Sequence, residues 1–142
     1  MDTHKLTGDV SAFVLGGNAT FTLQSSVTRK RYTYNIKRHK ENESLYFIHL
    51  LRGPDNTDDY SYIGCYYSDN GVFVPCRTWK FEPTEEWPAS LKAISYLLKN
   101  IYNVPSKLHV YHEGKCARCG RKLTTPESII TGFGPECRRL TN

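Results

Sequence analysis

Apolar and polar residues alternate along most of the chain. Phe21 and Leu23 alternate with Thr20, Thr22 and Gln24, and after a turn Tyr32, Tyr34 and Ile36 alternate with Arg31, Thr33, Asn35 and Lys37. A period of two places such residues on opposite faces of a strand, so the two runs predict a β-hairpin. Three further runs read as strands: Tyr46 to Leu51, Tyr60 to Tyr67, and Val72 to Val74. The turns between them are carried by Arg52-Gly53-Pro54-Asp55-Asn56 and Asp69-Asn70-Gly71, whose residue types suit tight reversals. Strands joined by short turns imply an antiparallel sheet. The period then changes. Leu91, Ile94, Leu97, Leu98 and Ile101 follow Pro88 at helical spacing, which predicts one amphipathic helix over residues 88 to 102, laid across a face of the sheet. Asn103-Val104-Pro105 ends it, and Lys107 to Tyr111 reads as a last short strand. Residues 1 to 17 carry little pattern, so a loose lead or a short strand around Ala12 to Leu15 is expected, ended by Gly16-Gly17.

The expected fold is α+β: an antiparallel sheet with one packed helix over residues 1–105, followed by a small zinc ribbon or treble-clef-like module over 106–142. A chain of 142 residues with 39% hydrophobic and 13% aromatic content supplies enough large side chains for a real core. No run approaches the roughly 18 apolar residues of a membrane helix, and the first residues lack the two halves of a signal peptide. The expectation is no membrane association and a cytoplasmic location.

In a reducing compartment thiols serve as metal ligands or small buried hydrophobes more often than as disulfide partners. Cys65 and Cys76 are expected as reduced core or near-core thiols. The other three cysteines cluster. Cys116 and Cys119 have two residues between them and Gly120 directly after, a spacing that turns two sulfurs onto one ion. Cys137 follows Gly134-Pro135, where proline suits the opening of a short helix whose positive end favours a thiolate. A closed structural zinc site takes four ligands. His112, four residues before Cys116, is the nearest competent side chain, with His109, on the opposite face of the strand, as the substitute. The expected cofactor is therefore structural Zn2+ on His112, Cys116, Cys119 and Cys137. Thiol exchange uses the same spacing, but it leaves Gly120 and Cys137 without a role.

Basic residues fall in two groups. Arg29, Lys30 and Arg31, with Lys37, Arg38 and Lys40, flank Tyr32 and Tyr34, and the tail adds Lys115, Arg118, Arg121, Lys122, Arg138 and Arg139. If both groups share a face, they form a cationic surface with aromatic platforms, suited to single-stranded nucleic acid. The competing reading makes the charges a solvated outer face and points the tyrosines into the core. The formal net charge of +5 agrees with either. A second function class is a stoichiometric inhibitor or modulator of a host protein, for example one of a defence system, docking through the Tyr60 to Tyr67 run and the acidic turn around Asp55. No phosphate loop is present and no catalytic triad follows from spacing, so the expectation is a binding protein without catalysis.

The run from Cys116-Ala-Arg-Cys-Gly-Arg to Gly132-Phe-Gly-Pro-Glu-Cys137 resembles a short zinc-binding tail found in many uncharacterised bacteriophage proteins and in some phage and bacterial helicase-like proteins. Gly17-Asn-Ala-Thr-Phe-Thr-Leu, Arg31-Tyr-Thr-Tyr and Asp59-Tyr-Ser-Tyr-Ile-Gly resemble the front half of small phage proteins that carry the same tail. The resemblance implies a viral origin, a host-cytoplasmic location and a zinc site, and implies no activity.

Overall fold

The computed structural model describes residues 5–6, 9–55, 58–76, 88–124 and 126–134. Its centre is a six-stranded antiparallel sheet formed by β1 (Asn18–Ser25), β2 (Arg31–Arg38), β3 (Leu45–Leu51), β4 (Tyr60–Tyr67), β5 (Val72–Pro75) and β6 (Leu108–His112), ordered β5-β4-β3-β2-β1-β6. The first five strands form a meander, as short turns between alternating runs require. The sixth returns beside the first, pairing Phe21 with His112 and Leu23 with Val110.

Alternation sets the two faces. Ala19, Phe21, Leu23, Tyr34, Ile36, Tyr46, Ile48 and Val110 point to one side and are buried. The amphipathic helix α2 (Ala89–Lys99) covers that side with Leu91, Ile94, Leu97 and Leu98. Tyr34 lies in this core and donates its hydroxyl to the Ser90 carbonyl at 2.5 Å. Of the two hairpin tyrosines, then, Tyr34 is core and Tyr32 is half-buried against it. Neither is an open platform.

The alternation slips once. Gly64 pairs with Ile48 but Tyr62 pairs with His49, leaving Ile63 as an extra residue that turns into the core. This bulge puts Tyr62 and Cys65 together on the sheet's other face, away from α2. Cys65 and Cys76 are half-buried there rather than central.

The loose lead or strand expected near Ala12 to Leu15 is instead a helix, α1 (Val10–Val14). Asp9 caps it, accepting from the Ala12 N–H at 3.1 Å, and Phe13 and Val14 supply its buried stripe. A second helix with no counterpart in the sequence reading, α3 (Pro126–Thr131), lies in the tail. Among the described residues no helix is long and apolar enough to cross a membrane.

Candidate functional site

β6 ends at His112, and the chain turns at once into a hairpin built from the cysteine motif. Lys115 bridges Lys122, the Cys116 N–H donates to the Arg121 carbonyl at 2.8 Å, and the Leu123 N–H donates to the Gly114 carbonyl at 2.7 Å. The Gly120 N–H closes the turn onto the Cys116 carbonyl at 2.9 Å. Gly120 has φ +80°, and a Cβ there would stand 2.6 Å from Asn18 Nδ2. The left-handed φ is what favours glycine after the second cysteine, and a side chain there would also have to displace the Asn18 amide.

Cys116 is fully buried and Cys119 exposed. The Arg118 N–H points at Cys116 Sγ, 3.4 Å away. Burial raises the Cys116 pKa, but the backbone N–H groups of Cys119, Gly134 and Arg118, with the Cys119 side chain, outweigh it and bring the thiol down to about 7. Several donors converging on one sulfur favour the thiolate, which is the form that binds metals. Cys137 lies outside the described residues, as do Arg138 and Arg139.

His112 is buried on the core face of β6 beside the Phe13 ring, at a centroid distance of 6.1 Å. Its Nδ1 accepts from the Gly114 N–H at 3.0 Å, and its Nε2 lies against the Ile129 carbonyl in a short hydrogen bond. One neutral tautomer, with the proton on Nε2, satisfies both contacts. The imidazole thereby straps β6 to α3. His109 pairs with Gln24 on the other face of the strand, its ring beside that of Tyr111.

The Gly132-Phe133-Gly134 run docks this hairpin onto the fold. Ala117 donates its N–H to the Gly132 carbonyl at 2.9 Å, and Asn18 donates to the Ala117 carbonyl at 2.7 Å. Phe133 packs edge-on against Phe13, with ring centroids 6.1 Å apart. Cys116, Ala117, Leu123 and Phe133 join the same buried cluster as the sheet residues, so the tail shares the core of the sheet. Sequence reasoning gave these positions no packing role, although a phenylalanine between two glycines is a signal of close docking.

The docking decides which basic residues meet. Lys115 and Lys37 line one cavity of about 240 Å3 together with Asn18, Asn35, His49 and Tyr60. Arg118 and Arg38 line another, of about 470 Å3, with Tyr46, Tyr102 and Ser68. Neither is lined by a carboxylate among the described residues. Arg38 also stacks over Tyr46, donating Nε to its hydroxyl at 3.3 Å and Nη2 to the Leu15 carbonyl at 3.1 Å.

Arg29 and Lys30 lie in the turn at the opposite end of the hairpin. β2 spans seven residue steps from Arg31 to Arg38, roughly 24 Å at strand rise. Lys30 lines a separate cavity with Tyr32, Lys92 and Leu108, and Arg31 stacks over Tyr111 at 5.7 Å. Arg121 and Lys122 are exposed on the second arm of the cysteine hairpin. Lys115 and Arg118 thus meet Lys37 and Arg38, not the Arg29 to Arg31 cluster.

On the sheet face away from α2, polar side chains hydrogen-bond in two groups. Thr22 and Thr33 hydroxyls meet at 2.6 Å, Thr22 also donates to Glu113 Oε2 at 3.0 Å, and Asn35 Nδ2 reaches Asn18 Oδ1 at 3.1 Å and Thr20 Oγ1 at 3.0 Å. Burial and then the charge of Glu113 push the Tyr60 phenol up, so it stays a neutral donor. Burial and Lys37 lower the pKa of His49, which keeps its imidazole neutral.

A family of unknown function, DUF6011, matches residues 106–140, from the start of the last strand through the cysteine hairpin and beyond. No curated protein and no solved structure matches the chain.

Proposed function

We propose that the protein binds nucleic acid through the end of the sheet where the cysteine hairpin docks, and that structural zinc holds that hairpin in shape. The observation that carries the binding proposal is that Lys115 lines a cavity with Lys37 and Arg118 lines another with Arg38, one on each face of the sheet at the same end of β2, and that no described carboxylate lines either. Cations drawn from separate elements toward concave, partly aromatic surfaces suit a phosphate backbone.

The zinc proposal rests on the hairpin. Two cysteines flank a tight turn, and backbone N–H groups converge on Cys116 Sγ. Three residue steps separate Gly134 from Cys137, at most about 10 Å of extended chain, so the third thiol is within reach. His112 completes a four-ligand set through Nδ1, exchanging the Gly114 N–H for the metal while the Nε2–H keeps its bond to the Ile129 carbonyl. If His112→Gln retains stoichiometric zinc while Cys119→Ser loses it, the fourth ligand is not His112.

A second reading, the viral modulator of a host protein, has one observation in its favour. Tyr62, Val72 and Val74 are 41%, 45% and 43% exposed on β4 and the edge strand β5. Such an apolar strip suits a protein partner. The acidic turn gives it less support, because the Asp55 N–H donates to Asp59 Oδ2 at 2.7 Å and the Asp58 N–H to Asp55 Oδ1 at 3.1 Å within the turn itself.

The charge-reversed variants Lys37→Glu, Lys115→Glu and Arg118→Glu separate the two readings. Each is expected to weaken oligonucleotide binding by about tenfold, since each turns a phosphate contact into a repulsion. Unchanged affinity in all three variants overturns the proposal.

A further inference from the structure

The cavity shared by Lys37 and Lys115 differs from the one lined by Arg38 and Arg118 in its floor. The two hydrogens of Asn35 Nδ2 face three acceptors, Thr20 Oγ1 at 3.0 Å, Asn18 Oδ1 at 3.1 Å and the Ala19 carbonyl at 3.3 Å. That pattern fixes both amides and leaves Asn35 Oδ1 as an acceptor and Asn18 Nδ2 as a donor, on residues that line the cavity. Tyr60 and His49 also line it, and the His49 ring stands 5.6 Å from that of Tyr62. The two ammonium groups come from different elements, Lys37 from β2 and Lys115 from the cysteine hairpin.

An acceptor and a donor held on the same lining match the polar edge of a nucleobase, aromatic lining residues offer its faces a surface, and paired ammonium groups match the phosphate attached to it. The volume, about 240 Å3, is on the scale of one nucleotide. A duplex keeps its bases stacked and paired, so only its phosphates can approach such a floor, whereas an unpaired strand can turn one base into it. We infer that this cavity receives a single unstacked nucleotide, and therefore that the protein's ligand is single-stranded nucleic acid. The inference rests on the nucleic-acid reading and narrows it. Lys115 makes the cysteine hairpin part of the cavity wall, so loss of the hairpin's fold removes one of the two phosphate contacts.

The test uses the full chain loaded with zinc and three probes: a labelled 12-nucleotide single strand of DNA, the same strand in RNA, and the blunt DNA duplex. A copy of the DNA strand carries 2-aminopurine at successive positions, whose emission rises when its base leaves the stack. At least one single strand is expected to bind tenfold or more tightly than the duplex, with a change in emission confined to one position of the modified strand, since leaving the strand's stack raises emission and stacking on Tyr60 lowers it. Tyr60→Leu is expected to weaken single-strand binding roughly 5- to 150-fold, the range for losing one stacked base, and to weaken duplex binding by less. Equal affinity for single strand and duplex with flat emission overturns the inference while leaving the nucleic-acid reading standing. No binding of any probe at low salt overturns both. The emission readout uses the unaltered protein, so the outcome does not depend on how well Tyr60→Leu folds.

Discussion

Replacing Gly132 with alanine tests how the tail is held to the sheet. Gly132 has φ +79°, a conformation that costs an L-residue about 1–2 kcal/mol. A Cβ built there stands 2.5 Å from both Cδ2 and Cε2 of Phe13. That ring cannot easily retreat, because Phe21, His112 and Phe133 stand 6.5, 6.1 and 6.1 Å from it. Forcing a methyl into such a cluster adds about 1–3 kcal/mol. The reduced freedom of the unfolded chain returns about 0.4–1 kcal/mol, so Gly132→Ala should destabilise the fold by about 2–4 kcal/mol. Two controls separate the contributions. Gly71 has φ +71° and a Cβ there meets no described atom within 4 Å, so its alanine variant carries backbone strain alone, about 1 kcal/mol net. Gly134 lacks a positive φ and a Cβ there meets no described atom within 4 Å, so its alanine should stay within about 0.5 kcal/mol of wild type. Urea unfolding followed by far-ultraviolet circular dichroism gives all three values, and at about 1–3 kcal/mol per molar the Gly132 variant should lose roughly a molar or more in midpoint. A Gly132→Ala midpoint equal to wild type, or a Gly134→Ala loss as large, refutes the docking account.

Other predictions concern the metal, the core and pH. Cys119→Ser should lose stoichiometric zinc and expose the chain after β6 to protease; retained zinc and unchanged digestion would remove Cys119 from the ligand set. Tyr34→Phe removes the hydroxyl bonded to the Ser90 carbonyl and should cost about 1–2 kcal/mol at neutral pH. Burial holds the Tyr34 phenol well above its usual range, so it ionises in the unfolded chain first. Its contribution is full below pH 10 and is lost as pH rises beyond it; the gap between wild type and Tyr34→Phe should therefore narrow in alkaline denaturation curves, and a constant gap would contradict the assignment. His49 behaves in the opposite sense, since burial lowers its pKa. Stability should fall as pH drops below about 6.5, and His49→Gln should flatten that fall.

Much of the sheet is legible in the sequence because alternation is a local signal. The two runs around Phe21 and Tyr34 pair as expected, with Phe21 opposite Tyr34, and the Leu91 to Leu98 stripe is the buried face of α2. Short helices are less legible. α1 spans five residues and α3 six, too few to display a period, so each shows itself only through its start: Asp9 as a cap, and Pro126 with Glu127 in the first turn. The bulge at Ile63 and Gly64 changes which side chains share a face. One glycine within a strand hints at it without fixing the direction of the shift.

The site was partly legible for a related reason. Cys116, Cys119 and Gly120 form the turn that their spacing suggests, because two residues between cysteines and a left-handed glycine are local constraints. Which cations meet was not legible, since it depends on β6 returning beside β1 and delivering the hairpin to the Lys37–Arg38 end of β2. The same is true of His112. Its place four residues before Cys116 suggests a ligand, while its strap to Gly114 and Ile129 arises from contacts that no spacing encodes.

The most direct test of the binding proposal is a salt titration of zinc-loaded protein against a labelled single strand, with metal content measured on the same sample. Four phosphate contacts, from Lys37, Arg38, Lys115 and Arg118, predict a log–log slope near −3, at about 0.7 per contact for a single strand. Lys115→Glu and Arg118→Glu should each reduce the slope by about one contact, whereas Arg29→Glu, at the far end of the hairpin, should leave it nearly unchanged. Affinity independent of salt, or a slope that falls only for Arg29→Glu, would contradict the account.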